Sequence, residues 1–113
     1  FDLTSGKQLW KTHFQSPPAG GLLLTGGLVF AGEPEGKLVA LDESTGKIVW
    51  TSPRLSSSVS APPVTYAVNG TQYVAVEAGK SGLLPIFYPT VTPWLKNVKD
   101  DSALYVWKLP AAR

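Results

Sequence analysis

Neither cysteine nor methionine occurs among the 113 residues, and histidine occurs once, at His13. Disulfides, thiolate metal sites and a thiol nucleophile are therefore excluded. One imidazole cannot build a histidine triad or a multi-histidine metal site within one copy. Charge is sparse as well. Asp, Glu, Lys and Arg make up 16% of the chain, the net charge is +2, and no block of like charges exists to track a phosphate backbone or an anionic membrane. Nucleic acid is not an expected partner. No run approaches the roughly 18 apolar residues that a spanning helix needs, and no basic start followed by an apolar run opens the chain. The chain reads as soluble, without an address.

What is present is glycine (11), proline (10) and a hydrophobic content of 43%. That mixture suits many short strands joined by tight turns, an all-β chain. Phe1-Asp2-Leu3-Thr4-Ser5-Gly6-Lys7-Gln8-Leu9-Trp10 returns as Leu41-Asp42-Glu43-Ser44-Thr45-Gly46-Lys47-Ile48-Val49-Trp50. Asp, Gly, Lys and Trp all repeat at one offset of 40 residues. An Asp side chain can bond the backbone two residues on, and Gly supplies positive φ, so the unit is a chain reversal with Trp on the outgoing strand. There the ring can fill the gap between adjacent twisted sheets. A period near 40 residues with fixed Gly and Trp marks the blade of a β-propeller, a small sheet that buries its faces only against its neighbours.

Between the units, 22–25, 28–31, 37–41 and 47–50 read as four strands of one complete blade. Residues 63–68 and 71–76 flank Asn69-Gly70, a type I′ hairpin signal, because both central residues of that turn need positive φ. Residues 79–101 read as an irregular loop, with Pro85, Pro89 and Pro93 blocking a ladder, and 103–109 as a last strand. The expected organisation is antiparallel four-stranded blades, one complete and two partial: 1–16 ends a preceding blade, 17–56 is complete, and 57–113 supplies three strands of a last blade. The entry into a turn at Phe1 is what an excised piece looks like, and both ends read as unfinished.

Candidate chemistry is thin. His13 reads as a loop or strand-edge residue. The acidic pairs Glu33/Glu35 and Asp100/Asp101 have the oxygen ligands for a hard cation, yet turn positions favour solvated carboxylates. Glu77 follows an apolar strand and points either into the ring or to solvent. Lys80 either bonds a cofactor carboxylate or caps a loop. Asn69-Gly70-Thr71 matches a glycosylation triplet that its use as a hairpin explains. The apolar stretch Leu83 to Leu95 either packs on its own blade or covers the ring mouth and docks a partner.

Ala40-Leu41-Asp42-Glu43-Ser44-Thr45-Gly46-Lys47-Ile48-Val49-Trp50 resembles the tryptophan-docking motif of the pyrroloquinoline quinone (PQQ)-dependent dehydrogenases, the eight-bladed quinoprotein alcohol and sugar dehydrogenases. The stretch 20–32, Ala61-Pro62-Pro63-Val64-Thr65-Tyr66 and Asn69-Gly70-Thr71-Gln72-Tyr73-Val74-Ala75 are similar to that family's penultimate and last blades. Ala103 to Pro110 resembles its closing strand. The resemblance implies a periplasmic oxidoreductase with PQQ and Ca²⁺ or a lanthanide on the propeller axis and a cytochrome c as possible acceptor. The metal ligands and the catalytic aspartate would come from earlier blades, so the segment by itself is expected to hold no metal and no catalytic residue. Cofactor contacts carried over by resemblance are Ala19 and Gly20 before the penultimate blade, and Lys80 and Leu83 in the glycine-rich turn after Tyr73-Val74-Ala75-Val76. Relatives often carry Trp at positions matching Ala19 and Lys80 or Leu83. The alternative is a non-catalytic propeller module for binding or assembly, closing a ring with other chains or other copies.

Overall fold

The computed structural model describes residues 1–80, 87 and 90–111, and it contains two antiparallel sheets. The first runs in chain order, β1 (Leu22–Thr25), β2 (Leu28–Glu33), β3 (Lys37–Asp42) and β4 (Ile48–Thr51). The second joins β5 (Val64–Val68), β6 (Thr71–Ala78) and β7 (Ala103–Lys108). Strands begin where branched or aromatic runs begin and stop at the turn residues, as the sequence predicts. Asn69 and Gly70 both take positive φ, 49° and 76°, and hold Val68 opposite Thr71.

Alternation then decides which side chains meet. Phe30, Leu38 and Ala40 of the first sheet face Val74, Val76 and Ala78 of the second, with Leu55 and Val59 of the β4–β5 link completing this main core. Tyr105 and Trp107, opposite Val76 and Val74 in the ladder, pack on the same side. Trp50 meets Trp107 edge-on across the gap, ring centres 5.7 Å apart and planes at 77°. The far side of the first sheet buries Ala31, Val39 and Leu41 under Phe14. The far side of the second leaves Val64, Tyr66, Val68, Leu104 and Val106 exposed.

Gln8 to Trp10 follow the first turn without joining a ladder among the described residues. Trp10 crosses to the neighbouring sheet. It lies on the second unit's turn, donating its indole N–H to the Glu43 carbonyl at 2.6 Å, with its ring over Gly46. Residues 79–101 are not wholly irregular: Pro93–Asn97 winds into a short 3-10 helix. Pro93 suits its start, where a backbone N–H has no helical partner.

Candidate functional site

Because consecutive strands reverse direction, alternate connections gather at opposite ends. The tight turns 26–27, 43–47 and 69–70 share one end. The other collects the β2–β3 turn 34–36, the β4–β5 link 52–63, the β6–β7 connection 79–102 and the approach to β1, 11–21. Of the sequence-predicted cofactor contacts, Ala19, Gly20 and Lys80 fall at this second end. Ala19 and Gly20 immediately precede β1, and Lys80 follows β6 by two residues. Leu83 lies outside the described residues.

Three of the four are brought into one neighbourhood by the β4–β5 link. Gly20 passes so close to it that a Cβ there would lie 2.9 Å from the Ala61 carbonyl oxygen and 3.1 Å from that of Ser60. Any side chain at position 20 would therefore push the two inner-strand entrances apart. From the same link the Ser58 carbonyl accepts the Gly79 N–H at 2.8 Å, and Ser60 Oγ reaches the Gly79 carbonyl at 3.4 Å. Lys80, half-buried, follows directly. The β4–β5 link thus touches both the approach to β1 at Gly20 and the end of β6 at Gly79. Ser60 and Ala61 were not singled out from the sequence. Only their position opposite Gly20, across about forty residues of chain, makes them part of the site.

The acidic candidates separate. Among the described residues no group of three or more His, Cys, Asp or Glu side chains could hold a metal ion. Glu77, Asp100 and Asp101 are exposed, as is His13. Glu33 and Glu35 are not freely solvated. Both are partly buried, and the Glu35 carboxylate accepts the hydroxyl of the buried Ser16. Burial pushes the Glu33 carboxyl above its usual range, the neighbouring Glu35 pushes the same way, and Lys37 opposes. Asp42 is held below its usual range, first by the Ser44 hydroxyl and then by the Thr45 N–H. Asp2 is held low by the N–H groups of Ser5 and Thr4. These are turn anchors, not acids or bases for a reaction.

Two stacked antiparallel sheets, the second with its outer face uncovered, and loops collected over one end, define a segment of a β-propeller. The comparisons with known proteins agree. The family described as outer membrane protein assembly factor BamB (PQQ_2) matches residues 1–86. Quinoprotein alcohol dehydrogenase PedH of Pseudomonas putida is 39% identical over 96% of this chain, which spans 18% of that protein. A europium-containing methanol dehydrogenase superposes with a TM-score of 0.82 at 29% identity, over 96% of this chain and 22% of its own. The quinohemoprotein alcohol dehydrogenase of Comamonas testosteroni gives 0.68 at 30%, over 87% and 14%. The chain belongs to the family of PQQ-dependent quinoprotein dehydrogenase propellers. It spans less than a quarter of the length of these relatives. No helix among the described residues is long and apolar enough to cross a membrane.

Proposed function

We propose that this chain is the C-terminal blade segment of a periplasmic PQQ-dependent dehydrogenase that oxidises an alcohol, with PQQ and Ca²⁺ or a lanthanide held by the complete ring. The observation that carries the reading is the 39% identity with PedH along 96% of the chain. The loop-bearing end supports it. Ala19 and Gly20 lie there beside the β4–β5 link, and Lys80, half-buried at the same end, offers one cation to the carboxylates of the quinone. The metal cage would be built by residues elsewhere in the ring. The quinone takes the hydride when bound; this segment's part is to wall the site and orient an anionic edge. A cytochrome c is the proposed electron acceptor, since one relative of Thauera butanivorans is named 1-butanol dehydrogenase (cytochrome c).

The test is dye reduction by the full-length gene product loaded with PQQ and either Ca²⁺ or a lanthanide, over a series of primary alcohols. Turnover with at least one alcohol is expected, and no reduction with any of them refutes the dehydrogenase reading. A second reading, a propeller used for binding or assembly, is favoured by the assembly-factor description of the matched family. It predicts no PQQ binding by the full-length protein in equilibrium dialysis.

A further inference from the structure

The connection between β6 and β7 leaves the second sheet at Gly79 and returns at Ala103, and its second half is fastened to the loop-bearing end by three separate anchors. Leu95 and Val98 are buried. Ser57 Oγ donates to the Lys99 carbonyl at 2.6 Å. Trp94 Nε1 donates to Ser16 Oγ at 2.8 Å, and Ser16, only 1% exposed, donates its own hydroxyl hydrogen bond to Glu35 Oε1. The direction of this relay is forced: an indole N–H only donates, a carboxylate only accepts, and a hydroxyl can do one of each. It joins three segments far apart in sequence, the approach to β1, the β2–β3 turn and the 3-10 helix. Glu35 is in turn held by its own turn, where the Gly36 N–H donates to the Glu33 carbonyl at 3.0 Å and the Leu55 N–H to the Gly36 carbonyl at 2.8 Å.

We propose that Glu35 is a positioning residue: through Ser16 it fixes Trp94, and with it the helix Pro93–Asn97, at the end of the blades that carries Ala19, Gly20 and Lys80, and so sets how an alcohol enters there. The entry role rests on the dehydrogenase reading; the seating of the helix does not. Without the carboxylate, the buried Ser16 hydroxyl has no acceptor to orient it, and its lone pairs no longer face the indole. Glutamine keeps an amide oxygen that accepts the same proton, whereas alanine does not.

The full-length protein separates these points by hydrogen exchange and by kinetics. The amides of Leu95 and Val98, bonded to the Thr92 and Leu95 carbonyls, report the seating. Glu35→Ala and Trp94→Phe are each expected to speed exchange of a peptide covering 93–99 by about tenfold, the effect of losing one hydrogen bond to or through a charged group. Peptides from β2 and β3 should not change. In the PQQ-loaded protein both variants should alter KM with kcat unchanged, and Glu35→Gln should restore wild-type exchange and KM. Unchanged exchange in Glu35→Ala overturns the relay, and a Glu35→Gln variant as loose as Glu35→Ala overturns the acceptor role. Faster exchange with an unaltered KM overturns the control of entry. An inactive wild type would count against the dehydrogenase reading, and exchange alone would then decide the seating.

Discussion

Gly6 and Gly46 have the same φ, 69°, and differ in what lies above them: nothing within 4 Å of Gly6, the Trp10 ring at 2.4 Å from a Cβ placed on Gly46. Alanine at position 46 would meet both penalties, the left-handed backbone at about 1–2 kcal/mol and displacement of the indole. Gly46→Ala is therefore expected to lower the thermal midpoint of the full-length protein by more than the backbone penalty accounts for. In Trp10→Phe, which removes the N–H donated to Glu43, the loss should be about 1 kcal/mol, and the two should not add. Titration gives a second residue-scale expectation. Glu33 is raised, so its ionisation opposes folding: stability is full below its unfolded-state pKa and falls as pH rises through the folded-state value. Glu33→Gln should raise the midpoint at pH 7 and make it climb more steeply with pH across the acid range, because this opposing contribution is gone. Asp42 is lowered and behaves oppositely, its support present at neutral pH and lost as pH falls through the folded-state value. Asp42→Ala should lower the midpoint at pH 7 and leave the acid limb shallower, read by calorimetry across pH.

Elements meet through a few large side chains. The T-shaped contact of Trp50 with Trp107 joins the last strand of one sheet to the last of the other. Edge-to-face pairs contribute about 0.5–1.5 kcal/mol beyond the area they bury. A double-mutant cycle with Trp50→Leu and Trp107→Leu should return a coupling of that size from denaturant unfolding of the full-length protein. Zero coupling would mean that the rings are merely adjacent. The repeat placed a Trp at both 10 and 50, and the two rings land on different partners, the turn at Glu43 and Gly46 for Trp10 and Trp107 for Trp50. Periodicity specifies that a ring leaves the turn, but what the ring lands on depends on the element facing it.

At the scale of the whole chain, the outer face of the second sheet is apolar and open. Leu104 is 71% exposed, and Val106, Val64, Tyr66 and Val68 lie on the same side. Among the described residues β7 is an edge strand, a template for pairing with another strand. Residues 1–113 expressed alone are expected to associate, with a light-scattering mass above 12.1 kDa. Charged substitutions at Leu104 and Val106 should reduce that mass, and a monomer at high micromolar concentration would show that this face needs no cover.

The amino-acid sequence alone determined the strands, the turns and the blade architecture, because these rest on local chemistry: alternation within a strand, positive φ at Asn69-Gly70 and the Asp-to-backbone bonds of the repeated turn. It also carried the family, through residues 20–32 and 61–75. Tertiary structure decided which residues share a site. Gly20 meets Ser60 and Ala61, and Glu35 meets Ser16 and Trp94, through contacts between segments far apart in the chain. Glu35 shows the difference most plainly. By its turn position it reads as a solvated acid, yet the fold places a buried hydroxyl on it. Desolvation and hydrogen bonding are set by neighbours in space, and no pattern along the chain encodes them.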